Sequence, residues 1–158
     1  MQFSTHIRTA LSVFFVAFAL VPAAQATTSS QSERTLLGAV NDVRAAHNLR
    51  PLRIDATLVR AARDYSATLI RRDIFTHGSL GPRLARYGVR GPIYGENLAW
   101  GKGERATAEG IVRGWMASPG HRANLLRPGW NRIGIGSRVG TFHGYAGATV
   151  VTADFAGS

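Results

Sequence analysis

Apolar positions return at helical spacing twice in the first half of the chain. Leu36, Val40, Val43 and His47 fall at i, i+4, i+7 and i+11, behind a Ser30-Gln31-Ser32-Glu33 run that has the S-x-x-E form of a capping box. The spacing predicts a first helix from about Ser32 to His47. Asn48 to Ile54, which contains Pro51, reads as a turn. Asp55 then stands where an N-cap belongs, ahead of Leu58, Ala62, Tyr65 and Leu69, so a second helix is predicted to end near Arg72.

From Asp73 to Gly103 the helical period is lost, and glycine and proline punctuate a segment in which only Leu80 to Tyr87 has room for a short helix. A stretch of this kind inside a compact domain is usually functional or built around a short strand. Thr107 is predicted to cap a third helix with an apolar stripe of Ile111, Val112, Trp115 and Met116. Ser118-Pro119 predicts a further short helix, with a side-chain cap at Ser118 and proline at its first position; it carries His121, Leu125 and Leu126 and stops at Pro128-Gly129. Beyond it the period becomes two: Ile133, Ile135 and Ser137 alternate with Gly134 and Gly136. Gly140 to Gly144 reads as a hairpin turn and Tyr145 to Phe155 as a long closing strand. Strands joined by a hairpin are antiparallel, which excludes a doubly wound nucleotide-binding sheet and leaves a layered α+β domain.

The N-terminal segment belongs to a different class. His6 and Arg8 are followed by the almost wholly apolar Ala10–Val21 and by the small residues of Ala24-Gln25-Ala26, the pattern of a secretory signal cleaved after Ala26. Twelve residues fall short of the ~20 needed to span a bilayer as a helix. The expected product is a polar leader over 27–33 and a domain over 34–158, secreted or periplasmic, with no membrane span after cleavage. Cysteine is absent, so the exported domain has no disulfide, thiolate metal site or cysteine nucleophile, and packing alone holds it together. Removing Met1–Ala26 takes one basic residue and no acid, leaving a net charge of +9. All but one of the 19 basic residues are arginines, scattered without a run longer than Arg71-Arg72 and without interleaved aromatic residues. That distribution describes a solvated basic surface rather than a base-stacking platform, and no nucleic-acid partner is expected. Weak adhesion to anionic envelope polymers or lipid headgroups stays open.

Three local phrases set polar residues in apolar or glycine-rich surroundings: Phe75-Thr76-His77, Tyr94-Gly95-Glu96-Asn97-Leu98-Ala99, and Trp115 through Leu126 with Ser118-Pro119-Gly120-His121 inside it. Together with Asn41 and Arg44 of the first helix, the Pro51-Leu52 turn, Ile133-Gly134-Ile135-Gly136 and the Asp154-Phe155 ending, they resemble the CAP superfamily of cysteine-rich secretory, antigen 5 and pathogenesis-related 1 proteins, and within it the short bacterial secreted branch. The resemblance spans about Leu36 to Phe155. It implies a three-layer α-β-α sandwich with a central antiparallel sheet and a cleft lined by two histidines and two acids. His77, Glu96 and His121 match three of these four positions, with Asn97 beside them. A family glutamate expected shortly after the third-helix tryptophan is missing, and Glu109 does not align with it.

Two readings of the triad stand side by side. His77 and His121 can ligate zinc or another divalent ion, with Glu96 as third ligand or as the carboxylate that orients one ring. Alternatively, Glu96 and both histidines complete a buried polar network against Trp115. His47 and His143 read as surface histidines, Ser118 as a cap rather than a nucleophile, and Trp100 and Trp130 as groove or core residues. The function expected from the resemblance is a monomeric secreted protein binding a lipid, sterol-like molecule or envelope component in the cleft. The alternative is a metal-assisted, peptidase-like hydrolase with Glu96 as base for a bound water. No catalytic residue is assigned.

Overall fold

The structure is a computed structural model that describes residues 30–157; the expected signal segment and its cleavage site lie outside the described residues. The elements run α1 (Gln31–Ala46), β1 (Arg53–Ile54), α2 (Ala56–Arg72), α3 (Leu80–Arg86), β2 (Ile93–Gly101), a 3-10 turn (Gly103–Ala106), α4 (Ala108–Ala117), α5 (Pro119–Leu125), β3 (Trp130–Phe142) and β4 (Tyr145–Gly157). The sheet order is β1-β3-β4-β2. β4 runs antiparallel to both of its neighbours, β2 and β3, and the two-residue β1 adds a parallel rung at the far edge of β3. Helices cover both faces, giving the three-layer sandwich.

The helix starts obey local chemistry. Ser30 accepts from the Glu33 amide while the Glu33 carboxylate accepts from the Ser30 amide. This reciprocal cap starts α1 at Gln31, inside the expected leader. Glu33 also takes two hydrogen bonds from Arg63 of α2, tying the two outer layers together; burial pushes its pKa up, but these bonds outweigh it and hold the carboxyl below its ordinary value. Asp55 caps α2 by accepting from the Thr57 and Leu58 amides.

The Ile-Gly-Ile-Gly run explains how the layers meet. Ile133 and Ile135 pack with Leu36, Val40, Ile111, Val112 and Trp115 on the α1/α4 side. The intervening glycines face α2, whose backbone lies against them. A Cβ at Gly134 would sit 2.1 Å from the Leu58 carbonyl carbon, and one at Gly136 2.2 Å from the Arg63 nitrogen. Any side chain there would push α2 off the sheet. The buried Ser66 hydroxyl locks the same contact by donating to the Gly136 carbonyl, 3.0 Å away.

Two sequence expectations are corrected. The glycine-rich segment holds a nine-residue strand, β2, whose amides and carbonyls pair along β4 from Ile93–Gly157 to Gly101–Thr149. Ser118 precedes α5, but its side chain makes no capping bond to the amides of the first turn; its carbonyl accepts from the Arg122 amide as the first bond of the helix. Asn41 and Arg44 act as braces. Asn41 exchanges two hydrogen bonds with the Leu52 backbone, and the fully buried Arg44 donates to the carbonyls of Arg50, Leu125 and Arg127.

Candidate functional site

β2 is an edge strand, and the candidate site wraps around that edge. Because side chains alternate along a strand, the adjacent Glu96 and Asn97 project to opposite faces of the sheet. Each face then builds a different environment.

On the α2 side, Glu96 lies directly across from Asp154 of β4. Arg83 of α3 bridges the two carboxylates: its Nη2 donates to Glu96 Oε2 and, at 3.0 Å, to Asp154 Oδ1. The guanidinium also stacks 3.5 Å from the centre of the Tyr65 ring, while the Tyr65 hydroxyl donates to the Thr76 carbonyl. His77 closes the top of this stack, its Nδ1 2.7 Å from Glu96 Oε1. With a carboxylate as acceptor, Nδ1 carries the proton in the neutral ring and Nε2 is turned free. One cation serves two buried acids here. Burial drives the Asp154 pKa up to about 8, with Arg83 opposing the rise and Glu96 reinforcing it.

On the α4/α5 side, Asn97 donates to the His121 carbonyl at 3.0 Å, and Asn124 donates to both the Glu96 carbonyl and Asn97 Oδ1. Trp115 Nε1 donates to the Leu98 carbonyl, and Trp130 Nε1 to the Asn124 carbonyl. These bonds satisfy the outward carbonyls of the edge strand and pin the start of α5 against it. His121 is half-buried at its outer margin, and burial, together with the nearby His77, lowers its pKa.

The structure thus brings all four expected residues together around one strand edge but assigns them unlike situations. His77 is 56% exposed, whereas the Glu96 side chain is 1% exposed and lies beneath the surface rather than lining a cleft. Both Glu96 oxygens are engaged, one by His77 and one by Arg83, so this carboxylate orients a ring and does not stand free as a water-activating base or third ligand. Two imidazoles sharing one tetrahedral zinc at a Zn–N length near ~2.0 Å hold their ring centres ~5 Å apart. Those of His77 and His121 are 6.5 Å apart, and among the described residues no group of three His, Cys, Asp or Glu side chains converges to hold an ion.

Beside His121 opens a cleft of about 680 Å³. Leu98, Trp100, Ile111, Trp115 and Phe75 supply its apolar walls, and Ser118, His121, Arg105 and Arg113 its polar lining. Among the described residues no hydrogen bond joins Ser118 to His121, so no nucleophile–base pair forms. Trp130 is core, stacked on Phe155. Glu109 faces a separate cavity between α1 and the sheet, away from both histidines.

Sequence reasoning did not place Arg83 in the site, and used Asp154 only as part of the family resemblance. Asp154 carried a usable signal: an acid at an inward position of an otherwise apolar strand, in period with Val150, Thr152 and Ala156. Arg83 carried none, since an arginine in a short exposed-looking helix resembles every other arginine in this chain.

A sandwich of this order, closed around a strand edge by two histidines and an oriented glutamate, defines a class. Residues 37–155 match the Cysteine-rich secretory protein family, CAP, and the chain belongs to it. It is 36% identical over 120 residues to the uncharacterized protein YkwD of Bacillus subtilis, an alignment covering 70% of this chain and 46% of that protein. Among solved structures it is similar to an extracellular protein of Bacillus anthracis containing an SCP domain, with TM-score 0.68 and 26% identity over 80% of this chain and 40% of that one. An outer surface protein of Borrelia burgdorferi gives TM-score 0.62 and 25% identity over 79% of this chain and 92% of the other. The chain therefore spans less than half the length of YkwD and of the Bacillus anthracis protein. No helix among the described residues is long and apolar enough to cross a membrane.

Proposed function

We propose that this is an exported CAP-domain binding protein that holds an elongated amphipathic molecule, a lipid, sterol-like compound or envelope component, in the cleft beside His121. The observation that carries the reading is the composition of that cleft. At about 680 Å³ it falls in the ~300–1,000 Å³ range of small-molecule sites, with two tryptophans, a phenylalanine and an isoleucine along its length. Its polar lining is His121, Ser118, Arg105 and Arg113, the last paired with Glu104, which also lines the cleft, so the excess positive charge comes from Arg105. An apolar body with an anionic end matches that distribution. Export is supported by the signal-like first 26 residues and by the extracellular relative in Bacillus anthracis.

Equilibrating the exported protein with long-chain fatty acids and with sterols, then recording native mass spectra and melting curves, tests the reading. A retained adduct with a raised melting temperature is expected. No adduct and no shift with either ligand class would overturn it.

A further inference from the structure

We infer that the hairpin end of the domain docks on an anionic bilayer surface, presenting the mouth of the cleft to the lipid. The inference deepens the binding reading and rests on it for the purpose of the docking, although the docking itself is separately measurable.

Four of the five large hydrophobic side chains exposed among the described residues gather at this end: Ile74 at 39%, Phe75 at 41%, Tyr145 at 56% and Val139 at 63% exposure. Two of them, Phe75 and Tyr145, adjoin an aromatic cluster. Trp100 packs 5.5 Å from Phe142, 5.6 Å from His143 and 5.8 Å from Tyr145, and Phe75 lies 6.2 Å from Phe142. The cluster is held rigidly: the two-residue His143-Gly144 turn has both residues at positive φ, and the His143 amide donates to Asp73. Tyr and Trp, apolar bodies with a polar tip, suit the headgroup region of a bilayer.

Charge selects the partner. Exposed Arg71 and Arg72 lie just before Asp73-Ile74, Arg138 precedes Val139, and Lys102 and Arg105 follow the end of β2. The neighbouring acids are Asp73, bonded to the hairpin, and Glu104, paired with Arg113. An apolar tip ringed by cations matches an anionic lipid surface. Phe75 and Trp100 belong to the tip and to the cleft wall at once, so the cleft opens where the lipid would be.

The test uses the protein as an expressing bacterium exports it, its N-terminus fixed by intact mass, sedimented with phosphatidylcholine vesicles with and without phosphatidylglycerol. Binding to the anionic vesicles that falls as salt is raised is expected, together with quenching of Trp100 by spin-labelled lipid. The Phe75→Ser/Tyr145→Ser variant should bind about tenfold more weakly or worse, whereas Ile54→Ser, at the opposite end, should bind like the wild type. Sedimentation no better than with phosphatidylcholine alone, unquenched Trp100, or an equal loss in Ile54→Ser would each overturn the docking. Gly114→Leu, which projects into the cleft, should abolish ligand retention but not sedimentation, so failure of the docking and failure of the cleft reading are separately visible.

Discussion

Glu96 and Asn97 are neighbours on one strand, yet the two sides they face differ in almost every physical respect. The Glu96 side is closed: a buried arginine, two carboxylates and a tyrosine ring fill it, and only the outer face of His77 reaches solvent. The Asn97 side is a scaffold of neutral hydrogen bonds, and an open apolar cleft straddles the strand edge farther along, taking Leu98 and Trp100 from the Glu96 face and Trp115 and His121 from the other. The charged side-chain groups best suited to chemistry are thus consumed in holding the edge strand and α3 together. The space able to receive a molecule is built from groups that carry little chemistry. That division is what the proposed binding reading rests on.

The strongest way to break the comparison is to remove the cation on the closed side. Arg83→Met leaves Glu96 buried without its partner and is expected to cost about 3–5 kcal/mol at pH 7, read by chemical denaturation. An unchanged denaturation midpoint would show that the closed side does not depend on its cation. Next in size is Gly136→Val, expected to cost about 3 kcal/mol by prising α2 from the sheet; an unchanged denaturation midpoint would refute the close contact.

Asp154→Asn sharpens the contrast through pH. A carboxyl whose pKa rises to about 8 on folding binds its proton more tightly in the folded state. The stability it adds is complete below its unfolded pKa, near ~4, and is lost as pH climbs toward the folded value. Melting temperatures measured across that window should therefore fall in the wild type and fall less steeply in Asp154→Asn; parallel profiles would remove Asp154 from the linkage. Smallest of all is His77→Ala. With its ring more than half exposed and one hydrogen bond to Glu96, the change should cost about 1 kcal/mol or less.

The sequence and the structure part company at identifiable places. Periodicity and capping chemistry located α1, α2, α4 and the β3–β4 hairpin, because those elements bury one face and carry their own start and stop signals. β2 was hidden by its surroundings: Gly95 and Gly101 sit where Trp130 and the Arg105 backbone approach within 3 Å of any added Cβ, so the strand lacks the β-branched residues that announce one. The parallel rung of β1 is too short to leave a pattern. His77, Glu96, Asn97 and His121 were legible through the family resemblance. That Glu96 and Asn97 serve opposite faces was also implicit in their adjacency once β2 was known. The partner that closes the Glu96 side, Arg83, comes from an element with no distinguishing pattern.

The central claim is that the open cleft receives the ligand, and Gly114→Leu tests it most directly. A Cβ at Gly114 meets nothing within 4 Å, the residue lines the cleft, and leucine is the better helix former in α4 by roughly 1 kcal/mol. In native mass spectra taken beside melting curves, the variant should melt at or above the wild-type temperature and retain no fatty acid or sterol that the wild type retains. A variant that is as stable as the wild type and still carries the same ligand would contradict the account.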